Sequence, residues 1–228
     1  MLFHLAEPAA LLGIVLALLI GIYAHDAAQV VVARIVRDPR PLRSGRLTAS
    51  LQRRLSPFSV VAMLIAGVGW TEPIPMNDVW RKRRFHVATA LLAGPFAYLL
   101  LAFAATVGAK FAHRPSLIVA QGDRIVQLAG EGDFLARLLL WMAVTFASLF
   151  ILSLLPVPPT DGGRLLFLLG PQSPAWNRAN YRLREENFGI GILLAILLLP
   201  VLFPTVPSVV GQLILPLLRG LGGLVDVG

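Results

Sequence analysis

Three polar residues interrupt a long apolar segment near the start of the chain: His25, Asp26 and Gln29. His25 and Gln29 are four residues apart, so they would share one face of a helix. A fourth polar residue, Asp161, follows a proline-rich break at residues 156–159. A histidine and carboxylates that meet in a buried place can bind a metal ion, supply a general base or hydrogen-bond with one another.

The composition indicates that membrane spans must position these residues. Of the 228 residues, 57% are hydrophobic and 14% are charged, whereas a soluble domain has roughly 45–50% and about 25%. The mean hydropathy of +0.75 agrees. Ionisable groups inside a membrane cost at least about 2.5 kcal/mol, so the four polar residues are candidate functional residues. The chain has no cysteine, which excludes disulfides, thiolate metal sites and cysteine nucleophiles.

Apolar stretches of about 20 residues mark the membrane crossings. The fold class predicted here is an all-α polytopic membrane protein that forms a single membrane domain over residues 1–228. It has about four transmembrane helices, at residues 9–36, 86–109, 134–155 and 187–203. Residues 57–70 are too short to cross and are predicted to be re-entrant or interfacial. The pattern also predicts an extramembrane hairpin or loop at 110–133, a short helix at 162–170, and a tail after Pro207 that is amphipathic at best.

The distribution of charge predicts the orientation. Half of the twenty Lys and Arg residues fall at positions 37–84, beside apolar segments. The positive-inside rule therefore places the basic loops 37–84 and 171–186 in the cytoplasm and both termini outside it. The net charge of +8 is thus assigned to topology, so the expected partner is the lipid bilayer and no nucleic acid is expected.

The polar residues resemble the active site of the site-2 protease family of intramembrane zinc metalloproteases. Zinc proteases of the H-E-x-x-H type place two histidine ligands at i and i+4, with the glutamate as general base. The family carries this motif in an early transmembrane helix and adds an aspartate ligand after a proline-rich break. Here the sequence reads HDAAQ at 25–29 and PPTDGGR at 158–164.

Intervening landmarks resemble the compact bacterial branch of that family. They are Asp38-Pro39, the GRLT sequence at 45–48, the GWTEPIP sequence at 69–75 and Ala93-Gly94-Pro95. The resemblance runs from about residue 13 to 170, which implies a site-2-protease-like core with the span at 187–203 and the tail as additions. It also implies residence in a bacterial cytoplasmic membrane.

The residues that differ from the family are those with polar roles. The resemblance implies that His25 and Asp161 stand in two metal-ligand positions, now vestigial, and that Gln29 replaces the third ligand. Asp26 stands in the general-base position, one methylene shorter than glutamate, and is expected to be inactive. Glycines and prolines that shape the backbone are kept, which indicates a retained scaffold without catalysis.

Four more positions extend this contrast. Tyr98 and Ser153 replace two family asparagines and are expected to line the cavity of the site. Arg54 and Ser56 replace a histidine and an aspartate in the loop after residue 47.

Three functions follow as hypotheses. The first is a catalytically inactive scaffold, assembly factor or accessory subunit, partnered with other membrane subunits and holding no cofactor. The second is an active intramembrane zinc metalloprotease with an unorthodox site. The third is binding of a lipid, quinone or peptide in the former active-site cavity.

Plainer interpretations of the same residues exist. His25 would hydrogen-bond to Asp161 or Asp26 without any metal. Asp161 would only cap the N-terminus of the helix at 162–170, since aspartate suits that position. Gln29 would link two helices, and Gly94 would permit their close approach.

Overall fold

A computed structural model of the chain describes residues 7–45, 47, 51, 54–76, 84–112, 117–118, 127–128, 133–171, 173–203 and 205–226. The helices are α1 (Pro8–Ile35), α2 (Arg40–Arg43), α3 (Pro57–Ala66), α4 (Arg84–Phe111), α5 (Phe134–Leu154), α6 (Asp161–Leu169), α7 (Pro174–Arg184), α8 (Phe188–Leu202) and α9 (Val209–Asp226). Two short strands, β1 (Leu117–Ile118) and β2 (Gln127–Leu128), lie between α4 and α5. The predicted class, an all-α polytopic membrane protein, is confirmed.

Three helices are long and apolar enough to cross a membrane: α1, α4 and α5. They correspond to the first three predicted crossings. The fourth predicted crossing is α8, which has 15 residues, fewer than the about 20 that a bilayer core needs. Taken together, α7 and α8 are long and apolar enough to cross, but the pair is bent by 63°, so it forms either a broken span or a re-entrant segment.

Small residues bring the three long helices close together. Ala17 of α1, Ala102 of α4 and Ala147 of α5 are fully buried between them. Gly13 of α1 lies against Trp141 of α5, where a side chain would overlap its neighbour. Van der Waals contact between closely approaching backbones is the usual source of helix association in lipid, where apolar burial supplies no driving force.

The proline-rich break after α5 delivers Asp161 to the bundle. The Pro158–Pro159 peptide bond is cis. The N-cap of α6 is Thr160, whose hydroxyl accepts a hydrogen bond from the Gly163 amide at 3.2 Å. Asp161 is therefore the first residue of the helix, and its interpretation as the cap is wrong. Thr160 fills the role of the N-cap. The carboxylate of Asp161 can therefore face α1.

The segment predicted to be too short to cross forms α3 and a following extended stretch. The side chain of Ser56 caps α3, and Gly67 ends it with a φ of 81°, which glycine adopts without strain. Ser59 then holds the extended stretch 68–76 to the helix. Its hydroxyl donates to the Trp70 carbonyl at 2.5 Å and accepts from the Trp70 amide at 3.0 Å.

The remaining elements cover the ends and one side of the bundle. β1 and β2 pair in antiparallel fashion, in agreement with the hairpin expected at 110–133. The tail forms α9, which is amphipathic as predicted and packs against α5. Its buried residues are Val210, Ile214 and Leu218, with Leu221 one turn further along.

Candidate functional site

Three of the predicted site residues meet in the centre of the bundle. The Nε2 atom of His25 lies 2.7 Å from Oδ2 of Asp161. The Nε2 atom of Gln29 donates to the other carboxylate oxygen of Asp161 at 2.8 Å. His25 and Gln29 are almost completely buried and Asp161 is 9% exposed. The contact expected between α1 and the segment after the proline break is present, and both oxygens of Asp161 are engaged.

The orientation of the Gln29 amide follows from its neighbours. Besides Asp161, its Nε2 atom donates to the carbonyl of Leu91 in α4 at 3.1 Å. A flipped amide would place its oxygen against two acceptors, so the nitrogen must face them. Gln29 thus links three helices, as the plainer interpretation predicted. Its Oε1 atom is buried and has no hydrogen-bond partner among the described residues.

Asp26, which the family resemblance places in the general-base position, is part of a buried ion pair. Its Oδ2 atom accepts from Nη1 of Arg54 at 2.7 Å, and its Oδ1 atom lies 3.3 Å from Nδ1 of His25. Arg54 is only 1% exposed, and its guanidinium lies 4.2 Å from the ring centroid of Tyr23. Both oxygens of Asp26 therefore face a cationic or donor group inside the bundle.

Helix α4 forms the opposite wall of the site. The ring of Tyr98 stacks on that of His25, with 4.9 Å between the centroids. Gly94 faces His25 and Gln29 so closely that any side chain there would overlap both. Gly94 thus permits the close approach that the sequence indicated.

These residues surround a small cavity. Its volume is about 20 Å³, which is enough for one water molecule. His25, Gln29, Tyr98 and Asp161 line it together with residues 69–74, Leu149, Leu152, Ser153, Pro159 and Thr160. The two predicted cavity residues, Tyr98 and Ser153, are therefore both in its wall. The hydroxyl of Ser153 donates to the Phe150 carbonyl at 2.7 Å.

Three contributors to the site are absent from the sequence-based prediction. Nothing in the sequence indicated Tyr23 or the Leu91 carbonyl, because an isolated tyrosine and a backbone group do not form part of a sequence motif. Glu72 also lines the cavity, and its amide donates to the Arg54 carbonyl at 2.7 Å. Its place inside the landmark at 69–75 was the available signal.

The donor set does not fit a catalytic zinc ion. Such an ion normally uses three protein ligands from Cys, His, Asp and Glu, and no group of three such residues is placed to hold a metal in the described part of the chain. His4 and His113 lie outside the described residues.

Comparison with known proteins agrees with this architecture. The chain is 30% identical over 189 residues to the Bacillus subtilis (strain 168) protein named "Putative zinc metalloprotease YwhC", and the match covers 82% of this chain and 80% of that protein. No protein-family model matches the chain, and no solved structure matches it. The chain therefore belongs to the site-2 protease family of membrane zinc metalloproteases.

Proposed function

We propose that this chain is a catalytically inactive member of its family that acts as a scaffold, assembly factor or accessory subunit of a membrane complex. The observation that carries the proposal is the closed set of polar contacts among His25, Asp26, Gln29, Arg54 and Asp161. The two carboxylates of this set, those of Asp26 and Asp161, both have protein partners.

The environment of Asp26 supports the loss of catalysis. A general base must reach the proton that it removes, directly or through one water. The Oδ2 atom of Asp26 is engaged by Arg54 and its Oδ1 atom faces the ring of His25.

The contacts that shape the backbone support a retained scaffold. Gly94 fits against His25 and Gln29, and Gly162 fits against the backbone at the end of α5. These close contacts are needed for packing whether or not the site is catalytic. We propose that the intact bundle presents a surface to other membrane subunits in a bacterial cytoplasmic membrane, with both termini outside and residues 37–84 and 171–186 inside.

A cleavage assay with purified protein tests inactivity. Wild-type chain, the His25→Ala variant and an active relative are incubated in mild detergent with the same transmembrane substrates. The proposal expects cleavage by the relative alone, with wild type and variant indistinguishable. Cleavage by wild type that disappears in His25→Ala would show that the chain is a protease.

The subunit role has its own experiment. The chain is purified from its native membrane in mild detergent, and co-purifying proteins are compared with those obtained with a Gly94→Ala variant. Stoichiometric membrane partners that are lost when the bundle is distorted support a scaffold. Recovery of the chain without any stoichiometric protein would contradict it.

The rival function is an active zinc metalloprotease with an unorthodox site, and the printed name of the Bacillus subtilis relative favours it. This rival requires about one zinc ion per chain, lost in Asp161→Ala. Elemental analysis after mild purification separates the two functions, because the inactive member holds no stoichiometric zinc.

Binding of a lipid, quinone or peptide in the cavity is the third candidate. The buried Oε1 atom of Gln29 favours it, because this acceptor lacks a partner among the described residues and would accept from a donor on a ligand. Native mass spectrometry that finds only protein and bulk lipid would remove this candidate.

A further inference from the structure

Helix α7 is anchored to the bundle by one aromatic side chain. Ser173 caps the helix and Pro174 occupies its first turn, both of which are typical of helix starts. The ring of Trp176 packs on that of Phe167 in α6 at 4.9 Å, against Gly170, where a side chain would overlap the indole. These contacts fix which face of α7 points away from the protein.

The face opposite this anchor is cationic. Arg178 and Arg182 are one turn apart on α7, and both are exposed. Tyr181 lies beside them and is 59% exposed. On the other side, Trp176, Ala179 and Leu183 are partly buried. We call Arg178, Tyr181 and Arg182 the α7 cationic face.

The bend between α7 and α8 sets the position of this face relative to the membrane. α8 consists entirely of apolar residues and glycine, so it belongs in the hydrocarbon core. α7 is inclined to it by 63° and carries two asparagines and three arginines. A polar, arginine-containing helix that is inclined to an apolar one is expected at the membrane interface, at the level of the phosphate groups.

The same end of the bundle carries further positive charge. The C-terminal end of α1 meets the N-terminal end of α4 and the C-terminal end of α6, through Ala33, Val87 and Leu168. Exposed arginines at this end are Arg34, Arg37, Arg40, Arg43, Arg84 and Arg184. Among the described residues at this end we find fewer acids: Asp38 is buried, and Glu185 and Glu186 follow α7.

We propose that the α7 cationic face binds the phosphate groups of anionic lipids at the cytoplasmic surface. Guanidinium groups match phosphate geometry through paired N–H donors, and basic residues near an anionic leaflet gain about 1 kcal/mol each. Tyr181, with an apolar ring and a polar hydroxyl, suits the interface beside them.

Native mass spectrometry of the full chain in mild detergent tests this inference. Phosphatidylglycerol and phosphatidylcholine are offered at equal concentration to wild type, to Arg178→Gln/Arg182→Gln and to Lys110→Gln. Lys110→Gln is the control because it removes a positive charge from the C-terminal end of α4. The cationic end of the bundle described above contains the other, N-terminal end of α4. We expect preferential retention of phosphatidylglycerol by wild type and by the control. In the double variant its affinity should fall about 25-fold, roughly fivefold for each arginine.

Two results would overturn the inference. One is equal retention of the two lipids by wild type; the other is undiminished retention of phosphatidylglycerol by the double variant. An acidic protein that co-purifies through Arg178 and Arg182, without lipid selectivity, would assign the face to a protein partner instead. Unchanged unfolding temperatures of the variants establish that lipid loss is not caused by misfolding.

Discussion

The Nε2 atom of His25 lies 2.7 Å from Oδ2 of Asp161, although 136 residues separate the two in sequence. This contact joins the middle of α1 to the first turn of α6. The Gln29 amide takes the other oxygen of Asp161. The residues that the family resemblance places in metal-ligand positions thus hydrogen-bond with one another.

Arg54 is expected to be essential for stability because of the charge that it compensates. Asp26 is fully buried, and Arg54→Gln would leave it without its cationic partner. Breaking a buried ion pair from one side costs about 3–5 kcal/mol. We expect a loss of that size in the free energy of unfolding, measured by denaturant titration in mild detergent.

Two further variants distinguish this charge effect from lost packing. Arg43→Gln removes an exposed arginine of α2 and should change the free energy of unfolding by less than about 0.5 kcal/mol. Adding Asp26→Asn to Arg54→Gln removes the unpaired charge, so the double variant should be more stable than Arg54→Gln alone. If Arg54→Gln unfolds like wild type, the ion pair does not stabilise the fold.

Gly94 is expected to tolerate no side chain. In Gly94→Ala the new methyl group would overlap His25 and Gln29, so α4 must move away from α1. Overpacking of this kind costs about 1–3 kcal/mol and should lower the unfolding temperature in detergent. Gly191→Ala is the matched control, since nothing lies within 4 Å of that position on α8. Equal unfolding temperatures for the two variants would contradict the close approach.

Much of this architecture was predictable because membrane burial leaves strong signals. Apolar length fixed the three long spans, since a bilayer core needs about 20 residues of helix. The family motif predicted that His25, Gln29 and Asp161 lie close together, although a sequence contains no distances. Tyr98 and Ser153 were placed in the cavity wall for the same reason.

Other features depend on contacts that a sequence does not express. Arg54 lies in an arginine-rich loop, where an arginine is ordinarily solvated, and its burial depends on contacts such as those with Asp26 and Tyr23. The cap at Thr160 rather than Asp161 depends on where the proline break ends. α9 could be called amphipathic but not placed, because its apolar face matches α5 only once the bundle exists.

Ser59 is expected to hold the extended wall of the cavity in place. Its fully buried hydroxyl both donates to and accepts from Trp70. Ser59→Ala would leave these two backbone groups without that partner, at a cost of about 1–3 kcal/mol each. We expect faster amide hydrogen exchange over residues 68–76, followed by mass spectrometry.

Ser148→Ala provides the comparison for this effect. Ser148 is also buried, but its hydroxyl donates to the Val144 carbonyl within α5, which accepts a helical hydrogen bond in any case. Exchange over residues 68–76 should therefore match wild type in this variant. Unchanged exchange in Ser59→Ala would mean that other contacts hold the stretch.

Gln29→Glu is expected to destabilise the site by charge repulsion. The new carboxylate would lie within hydrogen-bond distance of Asp161 and of the Leu91 carbonyl, where Gln29 now donates. Like charges that close cannot both be ionised without a cation between them. We expect a lower unfolding temperature at neutral pH, and Gln212→Glu on the exposed side of α9 should show no such loss. A variant as stable as wild type would indicate that a cation already balances the site.

The substitution Gln29→His is expected to create a zinc site on the existing scaffold. It supplies the third protein ligand beside His25 and Asp161, the number that catalytic zinc normally uses. After incubation with zinc and gel filtration, elemental analysis should find about one zinc per chain in this variant and no stoichiometric zinc in wild type.

Two control variants test whether zinc binding depends on the positions of the three ligands. Gln212→His adds a histidine on the exposed side of α9 and should leave the zinc content at the wild-type level, whereas Asp161→Ala added to Gln29→His should abolish binding. About one zinc per chain in wild type as well would show that the present donor set already suffices, and no zinc in either protein would contradict the prediction. Proteolysis is not expected in Gln29→His, because Arg54 still pairs with Asp26 and holds the carboxylate that would have to act as the base.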